Sequence, residues 1–102
     1  MIIDIHAHIW KGSYDSNKQE ILKAISLYGI TKVYISGLYS FNPDEDEIRE
    51  LNGEVYKFMR EYPESIGGFC YINPLHKNCL DELKKGIEEY GMSGMKLWIA
   101  TY

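Results

Sequence analysis

Residues 2–10 read Ile2-Ile3-Asp4-Ile5-His6-Ala7-His8-Ile9-Trp10, and the phasing of this stretch decides the fold. In an extended strand, successive side chains point to opposite faces. On that alternation Asp4, His6 and His8 share one face, and Ile3, Ile5 and Ala7 share the other. Two imidazoles two positions apart on one strand can reach a single cation beyond the strand end. Neutral imidazole is a common ligand for zinc and related divalent metals. Asp4, one step back, suits a supporting hydrogen bond that fixes an imidazole. His-x-His alone also describes surface and packing histidines. Position favours the ligand reading. The histidines close an apolar run that reads as the first strand of an α/β unit, and in such folds ligands bind beyond the carboxyl ends of strands.

Outward from this strand the chain alternates. A polar loop follows His8, and Asp15, Ser16 and Asn17 are candidate helix caps. Ile21, Leu22, Ile25 and Tyr28 recur at helical spacing, and Gly29 is placed to end that helix. Thr31 to Ser36 reads as a strand ended by Gly37. A loop carrying Tyr39 and Phe41 leads to Pro43-Asp44, which opens a second helix. Its acidic first turn (Asp44 to Glu47) suits the helix dipole better than a metal. Ile48, Leu51, Val55, Phe58, Met59 and Tyr62 form its apolar stripe, and Pro63 ends it. Gly67 to Asn73 reads as a third strand stopped by Pro74. Asn78 caps a third helix carrying Leu80, Leu83, Ile87 and Tyr90, with Gly86 inside it at a cost of about 1 kcal/mol against alanine. Gly91 ends that helix, and Gly94 to Ala100 reads as a fourth strand. Strand and helix alternating in this way predict parallel strands joined by right-handed crossovers.

The two faces of such a sheet differ. One parity set is Ile3, Ile5, Val33, Ile35, Cys70, Ile72, Leu97 and Ile99, all aliphatic or small, and is expected under the helices. The other is Asp4, His6, Tyr34, Ser36, Phe69, Tyr71, Asn73, Lys96 and Trp98, polar and aromatic. A doubly wound sheet has helices on both faces and aliphatic residues on both. A (β/α)8 barrel has an inside and an outside, with its site at the carboxyl ends of the strands. A closed barrel takes about 250 residues. The 102 residues here therefore predict half a barrel, β-α-β-α-β-α-β, as one incomplete domain over 1–102. Its open edges and uncovered inner face call for the missing C-terminal half, for a second copy as homodimer, or for another chain. A truncated gene product would look the same.

Composition narrows the function classes. Hydrophobic residues make up 45% and charged residues 25%, with a net charge of −4. Without a basic block, nucleic acid is not an expected partner. No apolar run approaches the ~20 residues of a membrane span, and the N-terminus lacks the pattern of a signal peptide. Two cysteines, Cys70 and Cys79, without such a signal predict reduced thiols and a cytoplasmic location. Cys70 falls in an apolar strand and reads as core.

These residues resemble the metal-dependent amidohydrolase superfamily, in particular its amidohydrolase-2 (aminocarboxymuconate-semialdehyde-decarboxylase-like) branch. Ile3-Asp4-Ile5-His6-Ala7-His8-Ile9 is similar to that family's first-strand Asp-x-His-x-His motif. Tyr62 to Phe69, followed by Ile72-Asn73-Pro74, resembles its third strand and the turn after it. Gly94-Met95-Lys96-Leu97 resembles its fourth-strand segment. The resemblance spans nearly all of this chain and the first half of a typical member. It implies a barrel holding one or two divalent metals, zinc foremost, with His6 and His8 as ligands. The metal would activate a water and polarise the scissile group of a small amide, lactone or carboxylic acid. The family's later-strand histidines and aspartate have no counterpart here, so activity of this length is an open point. In some relatives a fourth-strand lysine is carboxylated and bridges two metals. For Lys96 the plainer reading is preferred, a lysine that pairs with a carboxylate or binds an anionic substrate. Trp98 departs from the histidine common at that place. Trp10, Asn73 and Trp98 are candidate pocket residues, and His76 reads as a solvated loop residue.

Two other readings compete. A half barrel with two histidine ligands underfills a zinc site, which usually takes three protein ligands plus water. Such a chain could be a non-catalytic subunit or remnant that assembles with itself or a partner. A flavodoxin-like small-ligand domain is the third reading, against which stand the unlike faces and the lack of a phosphate-cradling glycine loop.

Overall fold

A computed structural model describes residues 1–40 and 42–97 of the chain. The element order is β1 (Ile3–Trp10), α1 (Tyr14–Tyr28), β2 (Lys32–Leu38), α2 (Glu45–Glu61), β3 (Ile66–Tyr71), α3 (Cys79–Glu88) and β4 (Met95–Lys96). The strands form one parallel sheet in the order β1-β2-β3-β4. A sheet whose strands follow chain order, joined by right-handed crossovers, carries all its helices on one face. A flavodoxin-like sheet reverses direction at a switch point and carries helices on both. That reading is therefore set aside.

Local chemistry accounts for the elements. Gly29 ends α1 in the left-handed conformation, φ 62°, which glycine adopts without steric cost. At α2 the Asp44 carboxylate accepts the Glu47 N–H at 2.8 Å, and the Glu47 carboxylate accepts the Asp44 N–H at 2.9 Å. This reciprocal cap satisfies two helix-end donors at once. The α2 stripe buries Ile48, Leu51, Val55 and Phe58. The main core joins Val33, Ile35, Cys70 and Ile72 of the sheet region with Val55 and Phe58, as the parity of those strands predicts.

Parity fails in β1. Its register runs Asp4 beside Val33, then Ala7 beside Ile35, so β1 spends three residues where β2 spends two. One extra residue in a strand reverses the facing of everything before it. Ala7 and Ile9 pack on the core as the helix-side set requires. Ile3 and Ile5, expected under the helices, are instead 53% and 68% exposed. Asp4 falls in step with buried Val33, out of phase with His8, which lies beside Ser36. Leu97, also expected under the helices, is exposed beyond the end of β4. Trp98, Ile99 and Phe41 lie outside the described residues.

Two strand ends also differ from expectation. Gly37 continues β2 instead of ending it, paired with Ile9 of β1, and Leu51 packs over it: a Cβ there would lie 2.5 Å from the Leu51 Cβ. β3 stops at Tyr71 rather than Asn73. Beyond Ser36–Phe69 the β2–β3 pairing gives out. The Asn52 side chain of α2 then takes the Tyr71 N–H on Oδ1 at 2.8 Å and donates Nδ2 to the Tyr71 carbonyl at 2.9 Å. An amide side chain thus stands in for the neighbouring strand.

Candidate metal centre

β1 carries its two imidazoles from its middle, at His6, into its second half, at His8 beside Ser36. The His6 and His8 rings meet edge to face with centroids 4.8 Å apart, and the Trp10 ring lies 6.1 Å from His8. Three rings thus run along the second half of β1. Trp10 is partly exposed, and its backbone N–H donates to Asn17 Oδ1 at 2.8 Å, tying the strand end to α1.

His8 is half-buried and His6 exposed. His8 Nδ1 lies 3.2 Å from Ser36 Oγ, in the β2 position directly beside it. That contact occupies one ring nitrogen and leaves Nε2 for a ligand. Burial holds the His8 pKa below its ordinary 6.5, helped by the neighbouring His6 and Lys96 charges. His8 is therefore neutral at pH 7, the form that offers a lone pair to a metal.

Asp4 contributes differently from its expected role. Its carboxylate accepts the backbone N–H of His6 at 2.9 Å. It steadies the strand where the extra residue sits, and so acts on the main chain of the histidine motif. Asn73 is buried and fully engaged. Its Nδ2 donates to Asn42 Oδ1 and to the Pro43 carbonyl at 2.9 and 3.0 Å, and its Oδ1 accepts the Leu75 N–H at 3.0 Å. His76 Nε2 lies 3.3 Å from the same Nδ2. Asn73 therefore joins the loops after β2 and β3. Tyr71, expected on the inner face, is fully buried with Leu38, Ile48 and Leu51, and its hydroxyl donates to the Ser40 carbonyl. Ser36 and Asn52 were not among the sequence-derived site residues. Only the strand register, which the sequence does not print, sets Ser36 beside His8.

A divalent cation fits here in part. Two imidazoles on one wall, one with its Nδ1 already engaged by Ser36, supply two of the three protein ligands of a catalytic zinc centre. Among the described residues no group of three or more histidine, cysteine or acidic side chains is placed to hold a metal.

No family model matches the chain, and no curated protein matches it. Solved structures do. A 4-oxalomesaconate hydratase from Rhodopseudomonas palustris superposes with a TM-score of 0.74 at 21% identity, over 93% of this chain and 40% of that one. A 2,6-dihydroxybenzoate decarboxylase from Rhizobium superposes with a TM-score of 0.75 at 17% identity, over 94% of this chain and 38% of that one. The fold is half of a (β/α)8 barrel. A putative amidohydrolase from Staphylococcus aureus matches as well, TM-score 0.75 at 15% identity, over 92% of this chain and 36% of that one. The half barrel thus spans about two fifths of the length of the structures it matches.

Proposed function

We propose that this half barrel is the histidine-bearing part of a metal-dependent hydrolase or decarboxylase of the amidohydrolase type. One observation carries the reading: His6 and His8, on β1, stand edge to face, 4.8 Å apart. His6 and His8 bind the cation, Ser36 orients His8, and Asp4 steadies the strand leading into His6. Lys96 of β4 holds an anionic group of a small substrate. A bound divalent cation, zinc foremost, would supply Lewis acidity, polarising the scissile group of an amide, lactone or carboxylic acid and activating a water. The remaining ligands come from chain that completes the barrel.

Titration of the purified chain with Zn2+ or Co2+ tests this. Binding of one equivalent, abolished by His6→Ala and by His8→Ala separately, is expected. Stoichiometric metal that survives both changes would overturn the assignment. The lack of a third ligand among the described residues favours a second reading, a half-barrel subunit that is inactive alone. Metal binding without turnover of small amides, lactones or carboxylic acids would support it.

A further inference from the structure

A groove of about 280 Å³ opens at the other end of the sheet from His8, where β2 and β3 begin. Its charged lining is Lys32 at the start of β2 and Arg60 in the last turn of α2, and no carboxylate lines it. That is notable in a chain with a net charge of −4. The rest of its polar and aromatic lining is Tyr34, Tyr56, Tyr90 and Ser93. Tyr56 and Tyr90 stack nearly parallel, 12° between planes and 4.2 Å between centroids, which joins α2 to the segment after α3. The Arg60 guanidinium lies 5.7 Å from the centre of the Tyr56 ring, and Lys32 Nζ lies 5.7 Å from that of Tyr34. Both cations therefore rest on aromatic faces, and neither makes an ion pair among the described residues. Backbone floors part of the groove at Gly67, where a Cβ would enter the Tyr34 ring.

We propose that this groove is a second binding site, for a small aromatic phosphate monoester. The volume falls just under the usual range of ligand pockets and suits one ring with its head group. Met59, Pro63 and Ile66, with the rims of the tyrosine rings, offer apolar walls to the ring. A lysine and an arginine together match the near-dianionic charge of a phosphate monoester, and the guanidinium fork pairs with phosphate oxygens bidentately. The site is separate from the histidines in place and in chemistry, so it stands or falls independently of the metal reading.

Phenyl phosphate is the probe, added to metal-stripped protein and followed by amide chemical shifts, so that anion binding to a metal plays no part. Saturable shifts centred on Tyr56, Gly67, Tyr90 and Ser93 are expected. Arg60→Gln and Lys32→Gln should each weaken binding about tenfold, the loss of one charge-assisted hydrogen bond. Arg60 is exposed, so its variant keeps the fold, checked by thermal melting. Phenol and inorganic phosphate should each bind far more weakly than phenyl phosphate. Three outcomes overturn the proposal: equal binding of inorganic phosphate, which marks an unspecific anion site; shifts scattered or centred on His6 and His8; or unchanged affinity in the Arg60→Gln protein.

Discussion

Cys70 puts a thiol where reagents cannot reach it. It is fully buried, and burial, with the Glu82 charge nearby, pushes its thiol up to about 11. The thiolate is the reactive form, so Cys70 is inert at neutral pH. Cys79 is half-exposed, and both cysteines are free. One equivalent of a thiol reagent should therefore react promptly, at Cys79 by peptide mapping, and the second only as the protein unfolds. Equal labelling of the two in the folded state would contradict the packing of Cys70. His8 gives the pH counterpart. Unfolded, it binds a proton at its ordinary 6.5, and folded it does so only at lower pH. Between those values the unfolded chain holds more protons, so the fold loses stability as pH falls through this window. An imidazole titration by NMR should place the His8 midpoint below 6.5, and Lys96→Gln should raise it by removing a repelling charge. A midpoint above 6.5 would contradict the half-buried position. The histidine pair was legible because its spacing survives any small shift of the strand. Its partner Ser36 was not, because the residue that comes alongside depends on register.

Among the elements, the helices were the most readable. The α2 stripe, its Asp44 cap and the Gly29 stop each follow from local chemistry that tertiary structure did not override. β1 was read correctly as a strand and misread in phase. Alternating Ile3, Ile5 and Ala7 look alike on either side of an inserted residue, and nothing local marks where it falls. The helix–sheet joints were likewise hidden. Asn52 sits in the buried stripe of a helix and looks like a polar misfit, yet it terminates the β2–β3 pairing. Asn52→Leu would leave the Tyr71 N–H and carbonyl buried and unpaired, at about 2–4 kcal/mol in urea denaturation. A loss under 1 kcal/mol would mean that these groups find other partners. Gly86 looks like a defect in α3 and is a contact. A Cβ there would lie 2.7 Å from Cys70 Sγ and 2.9 Å from its Cβ. Alanine would add about 1 kcal/mol of helix propensity but overpack the joint by about 1–3 kcal/mol. Gly86→Ala should therefore lower the melting temperature. A rise would mean that α3 can back away from β3.

The described residues together form an open wall. β1 pairs only with β2, and β4 only with β3, so both sheet edges keep unpaired backbone groups among the described residues. The reversed phase of β1 puts Ile3 and Ile5 in solvent at one of those edges, with Ile2 50% exposed beside them. An edge strand bearing adjacent aliphatic side chains is a template for pairing with another chain. In a closed barrel that edge is paired. In the 102-residue chain it is expected to drive association that grows with concentration, read by sedimentation velocity. Ile5→Lys puts a charge on the edge at a position that is 68% exposed. Surface changes of this kind move stability by about 0.5 kcal/mol or less, so the variant should fold as the parent does. It should sediment closer to the monomer at every concentration, and its melting temperature should hardly move. If the parent is monomeric throughout, the edge is protected by residues outside the described set. If Ile5→Lys unfolds the chain, then Ile5 is packed, the inserted residue in β1 is misplaced, and the set of side chains sharing a wall with His8 must be redrawn.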